Sequence, residues 1–222
     1  MRRIKSVVVL ALLVAVAGCT SEPGSKAGGS PSGGPRTCEQ LLGDAAVAWV
    51  EGQTASKSLR WRSQKSVDEA RTLVQGNLRA WSPEKSGWGS TDFATMCSVR
   101  KQQEPDAGVL SLSYGSSYAG FDFYQKSDER GIVPVNDDVL LSRPYSWDPT
   151  AYWVIIRCRM ADAPAEQADR APVIGMLTDG LTRDRDPRVH FAHLLHSAQV
   201  MVKALGCTNA PAVPDQPPAS VA

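Results

Sequence analysis

Four widely spaced cysteines, Cys38, Cys97, Cys158 and Cys207, constrain this chain more than any other feature. No two of them form a Cys-x-x-Cys unit, so a zinc ribbon or a thioredoxin-type redox motif is excluded. An even number of well-separated cysteines argues for two disulfides if the chain matures in an oxidising compartment. Four cysteines permit three pairings, and their spacing does not choose among them. Cys38 with Cys97 and Cys158 with Cys207 is the expected connectivity, because it would clip a helix at each end of the domain to a central sheet.

The compartment is readable at the N-terminus. Arg2, Arg3 and Lys5 precede an apolar run over residues 7–17, which is too short for the ~20 residues a membrane-spanning helix needs. Residues 1–18 therefore read as a signal peptide. The run ends in Leu13-Val14-Ala15-Val16-Ala17-Gly18-Cys19, small residues leading into a cysteine. That string resembles the bacterial lipobox. The resemblance implies cleavage after Gly18, a diacylglycerol thioether on Cys19, and a further acyl chain such as palmitate on the new N-terminus. Each buried methylene contributes about 0.8 kcal/mol, so one chain binds marginally and two or more anchor stably. The expected location is the extracytoplasmic face of the cell membrane.

Beyond Cys19 the composition changes. Of the 17 residues 20–36, 12 are Gly, Ser or Pro, too little apolar surface to fold. With Cys19 they form a lipidated tether over residues 19–36, holding the domain roughly 20–25 Å from its anchor as a flexible coil. Residues 37–208 suffice for one domain, and the proline-bearing residues 209–222 read as a disordered tail. Loss of Arg2, Arg3 and Lys5 leaves 21 basic against 23 acidic residues. No basic run stands out, which argues against nucleic acid as a partner and against electrostatic adhesion to anionic lipid.

Periodicity gives the elements. Thr37-Cys38-Glu39-Gln40 and Ser66-Val67-Asp68-Glu69 are capping-box patterns that open helices, the first expected to end near Gly52 and the second before Pro83. Residues 93–100, 109–114 and 118–124 favour strands, with Gly115-Ser116-Ser117 as a hairpin turn between the last two. Residues 152–158 suit a strand buried on both faces. Residues 165–181 are ambiguous, broken by Pro172, Gly175 and Gly180. Asp186 followed by Pro187 opens a final helix that Gly206 closes. Helices at both ends and strands between give an α+β fold, an antiparallel sheet with helices packed on it in one disulfide-stapled domain. With its lipobox, tether and Cys38-Glu39-Gln40-Leu41-Leu42, the chain resembles actinobacterial secreted lipoprotein domains with paired cysteines. That resemblance carries no catalytic residues.

Candidates for chemistry are few. His190, His193 and His196 recur every third residue of the last helix, but they sweep too wide an arc to converge on one ion. They are expected to lie on a solvated face without metal. Gly115-Ser116-Ser117-Tyr118 lacks the Gly-x-Ser-x-Gly spacing of a nucleophile elbow, and two Ser-x-x-Lys matches have none of their companion motifs. No phosphate-binding or dinucleotide fingerprint occurs and no cofactor is implied. Trp88, Tyr114 and Tyr118 remain as aromatic contact residues for a sugar or a protein surface. The reading that follows is a lipid-anchored, non-catalytic binding module for an envelope protein or polysaccharide. The alternative is an envelope enzyme on wall polymer whose paired carboxylates only the fold brings together. Cys19→Ala should give protein that is released or left as uncleaved precursor; mature-sized Cys19→Ala protein still fractionating with membranes would contradict the anchor.

Overall fold

The computed structural model describes residues 36–56, 58–85, 93–104, 106–127, 131–144 and 148–221. The expected signal peptide, the expected lipidation site Cys19, nearly all of the expected tether and Trp88 lie outside the described residues. Seven strands form one antiparallel sheet: β1 (Leu59–Ser63), β2 (Ala94–Lys101), β3 (Leu110–Ser116), β4 (Ile132–Asn136), β5 (Val139–Ser142), β6 (Ala151–Ile156) and β7 (Val173–Asp179). Their spatial order is β1-β2-β3-β7-β6-β5-β4. Helices α1 (Arg36–Thr54), α2 (Val67–Arg79) and α5 (Pro187–Leu205) pack on one face, while short α3 (Phe121–Gln125) and α4 (Gln167–Arg170) accompany the strands. The expected α+β class and antiparallel sheet are therefore what the chain forms.

At α2 and α5 the local signals and the structure agree, whereas α1 is already helical at Arg36, ahead of the Thr37 capping box expected to open it. The Ser66 side chain accepts from Glu69 N while the Glu69 carboxylate accepts from Ser66 N, closing the capping box of α2. Asp186 caps α5 by accepting from Arg188 N, Pro187 fills the first turn, and Gly206 ends the helix at φ 66°. In α1, Gly43 interrupts the helix at φ 76°. A Cβ there would sit 2.9 Å from His196 Nε2, so the missing side chain lets α1 approach α5. Gly52 does not end this helix; the chain runs on to Thr54, whose hydroxyl donates back to Val50 O at 2.7 Å, and Ala55 turns left-handed at φ 48°.

Long-range packing decides the rest. Residues 118–124, expected as a strand after a hairpin turn, contain α3, and Gly115 and Ser116 lie inside β3 rather than in a turn. Phe121 and Tyr124 go down against Leu140, Ile155 and Ile174 on the sheet face opposite the long helices, forming a second small core. Strand propensity in those aromatics reflected burial and not pleating. The ambiguous segment 165–181 holds β7, the strand at the centre of the sheet. Gly175 does not break it, because a Cβ there would lie 2.6 Å from the Tyr114 ring and 2.8 Å from Val154. The glycine makes room for Tyr114, which crosses to α5 and hydrogen-bonds Ser197.

The two terminal helices are tied down covalently. Cys38–Cys97 joins the start of α1 to β2 and Cys158–Cys207 joins the end of β6 to the chain just past α5, with Cα separations of 5.3 and 5.0 Å. Residues beyond Asn209 form a strap instead of the expected disordered tail. They make no regular structure because of their prolines, yet Arg188 donates to Pro218 O and Val221 O, Arg143 donates to Ser220 O, and Val221 is fully buried. The disulfides close loops of 59 and 49 residues. On the chain-entropy treatment each stabilises the fold by about 4 kcal/mol. Cys97→Ser or Cys207→Ser should each lower the free energy of unfolding by about that amount in urea titration; four titratable thiols in the exported protein would contradict both bonds.

Candidate functional site

The densest polar cluster sits where β7 hands the chain to α5. Asp179, the last residue of β7, is buried, and its carboxylate is fully occupied: Oδ1 accepts from Leu181 N and Thr182 N at 2.8 Å, while Oδ2 accepts from the Thr182 hydroxyl and from His190 Nε2 at 2.9 Å. His190 is also fully buried, and its Nδ1 donates to Asp186 O at 2.8 Å. An imidazole facing two oxygen acceptors satisfies both only when each ring nitrogen carries a proton. We infer from this geometry that the pair is a buried imidazolium against a carboxylate.

Aromatic rings enclose that pair. Tyr152 of β6 stacks on the His190 ring at 4.1 Å between centroids, and Trp49 of α1 meets it edge-on at 5.1 Å. Trp49 also covers His193 at 4.9 Å and donates its indole N–H to Asp184 Oδ2 at 2.9 Å. Burial, together with the charge on Asp179, pushes the Tyr152 phenol up. Burial also works to raise Asp179, but the hydrogen bonds from His190, Thr182 and Leu181 outweigh it and hold the carboxyl below its usual range. His193 goes the other way: burial first, then the positive charges of His190 and His196, push it down to about 4.

This corrects the expectation for the histidines. Only His196 is exposed; His190 is in the core and His193 is half-buried under Trp49. Their face of α5 was expected to meet water, but α1 packs on it, so the helix is covered on two sides. Among the described residues no group of three or more His, Cys, Asp or Glu side chains is arranged to hold a metal ion. The Asp179–His190 pair has the components of an acid–base couple, but both side chains are buried and their polar atoms are in use within the fold. Its chemistry is structural.

The aromatic candidates separate. Tyr114 is fully buried, so it is a core residue and not a contact residue. Burial pushes its phenol far up, so the hydroxyl stays neutral in its bond to Ser197. Tyr118 lies on the surface, where it lines a cleft of about 170 Å³ with Asn77 and Trp81 from the end of α2, Ser117, and Ala171. Ser117 is fixed there by bonds to the Tyr124 hydroxyl at 2.8 Å and from Ala119 N at 3.0 Å. Trp81 is buried, and its indole N–H has no acceptor among the described residues. An unanswered donor of this kind is uncommon, since buried polar groups are nearly always paired. No pattern in the sequence announces the orphaned N–H of Trp81. All the residues lining the cleft are uncharged.

Comparison with protein-family models, with curated proteins and with solved structures finds no match.

The buried pair sets two measurable costs. Asp179→Asn leaves an uncompensated buried imidazolium and should lower stability by about 3–5 kcal/mol in chemical denaturation; a loss below about 1 kcal/mol would show that the pair is not charged. His193 takes up a proton more readily unfolded, at its ordinary 6.5, than folded, at about 4. Stability should therefore fall as the pH drops through that window. Melting temperatures of His193→Gln should decline less steeply there than those of the parent; parallel profiles would contradict the assignment.

Proposed function

We propose that the chain is a lipid-anchored extracytoplasmic binding module of the cell envelope, and that the cleft between Trp81 and Tyr118 takes a neutral polar group from an envelope polysaccharide or protein. The lipobox-like string ending at Cys19 supports the anchor. Disulfides pinning both terminal helices suit an oxidising compartment. One observation carries the binding site: Trp81, whose buried indole N–H has no acceptor among the described residues, lines a cleft with Tyr118, Asn77 and Ser117. A few polar groups converging among aromatic rings are the ordinary make-up of a recognition site. With about 170 Å³ the cleft is smaller than the ~300–1,000 Å³ that encloses a drug-sized molecule, so it fits a single ring or substituent.

The test uses neutral oligosaccharide fragments of wall polymer, titrated against the full mature protein. Tyr118→Ala should weaken binding by about tenfold without lowering the melting temperature, as for a half-exposed aromatic anchor. Trp81→Phe, which removes the N–H but keeps the packing, should weaken it too. Unchanged affinity in both variants would contradict the site. Turnover of a glycoside or ester, abolished by changing one carboxylate, would make the protein an enzyme instead.

A further inference from the structure

Strand pairing collects three arginines that are scattered in the sequence. β1 is an edge strand, with Leu59 and Trp61 packed toward the core and Arg60 and Arg62 exposed on the opposite face. β2 pairs with it antiparallel, setting Arg100 directly across from Arg60 and Ser98 across from Arg62. Residues directly opposite in an antiparallel pair share a face. Arg60, Arg62 and Arg100 therefore form one cationic patch on the sheet face away from the long helices.

Among the described residues nothing neutralises this patch. None of the three arginines forms an ion pair with a described carboxylate, and the neighbouring Glu104 is taken by Lys101 at 3.3 Å. Like charges placed directly across a strand pair destabilise the sheet, so Arg60 facing Arg100 calls for an anion from outside.

We propose that Arg60, Arg62 and Arg100 dock the domain face-down on the anionic phosphate headgroups of the membrane that holds its lipid; this rests on the anchor reading above. A tether of 17 residues leaves a free domain roughly 20–25 Å out, beyond the ~8–10 Å over which charges act at physiological salt. The anchor supplies a high local concentration, and the patch converts a hovering domain into an oriented one. Each arginine near an anionic surface favours binding by roughly fivefold, so the three together contribute on the order of a hundredfold. No basic run in the sequence marks the patch, because β1–β2 pairing builds it from two distant segments.

The full lipidated protein, carrying a protease site within residues 20–35, is loaded on vesicles of phosphatidylcholine alone or of phosphatidylcholine with phosphatidylglycerol. Flotation before cleavage reports the anchor. If the protein fails to float, the anchor reading fails and the docking falls with it. After cleavage both disulfides stay within the released piece. That piece should remain on phosphatidylglycerol vesicles at low salt, leave phosphatidylcholine vesicles, and leave both at high salt. R60Q/R62Q/R100Q should lower its partition coefficient on the order of a hundredfold, with an unchanged or raised melting temperature. Protein that floats before cleavage but leaves both vesicle types alike after it would overturn the docking and spare the anchor. Displacement by millimolar inorganic phosphate, with stoichiometric heat of binding, would assign the patch to a soluble phosphate and also overturn it.

Discussion

The buried bond between Asp179 and His190 is the interaction on which the rest of the arrangement depends. Asp179 ends the central strand β7, holds the turn at Leu181 and Thr182 through its other contacts, and reaches into the first turns of α5. The same imidazole fixes the carbonyl of Asp186, the residue that caps α5. One carboxylate thereby sets the end of a strand, the course of a loop and the start of a helix. Removing a charge pair of this kind from water is expensive, and it is tolerated only when hydrogen bonds complete both partners. Here they do: the Asp179 carboxylate has four donors and His190 has an acceptor at each nitrogen.

From that bond the packing spreads outward. Tyr152 and Trp49 bring β6 and α1 against the imidazole, and Gly43 lets α1 come close enough for His196 to fill the space of its absent side chain. Further along α5, Tyr114 passes over Gly175 to reach Ser197. The disulfides then fix the outer ends of the two terminal helices. The helical layer is thus held by polar and covalent bonds at both ends and by the apolar residues Phe191, Leu194, Leu195, Ala198 and Met201 between them. A scaffold of this sort leaves recognition to its margins, where the proposed cleft at Tyr118 and the proposed arginine edge both lie.

Features written in a few adjacent residues were legible beforehand. The Ser66–Glu69 capping box, Asp186-Pro187 and Gly206 survive intact, because caps act within a few residues; the cysteine pairing, one of three the spacing permits, was reached only through the expected clipping of each terminal helix to the sheet. Gly175 misled because its reason lies in Tyr114, far away in the chain. Residues 118–124 misled because aromatics suit a pleated sheet and an amphipathic turn equally well until the surface beneath them is known. The histidines looked solvated on a helical wheel, since the wheel shows one core face and α5 is covered on two. Trp81, Asn77 and Tyr118 converge only after α2 is laid beside β3, as Arg60 and Arg100 meet only after β1 pairs with β2.

The central claim is that His190 is a buried imidazolium clamped between Asp179 and Asp186, and its ring protons test it directly. Nitrogen-resolved NMR of ring-labelled protein in mildly acidic buffer should show two slowly exchanging, downfield ring N–H resonances from His190, both lost in Asp179→Asn. A single ring N–H, or two that exchange with solvent as fast as those of His196, would show a neutral or exposed ring and contradict the account.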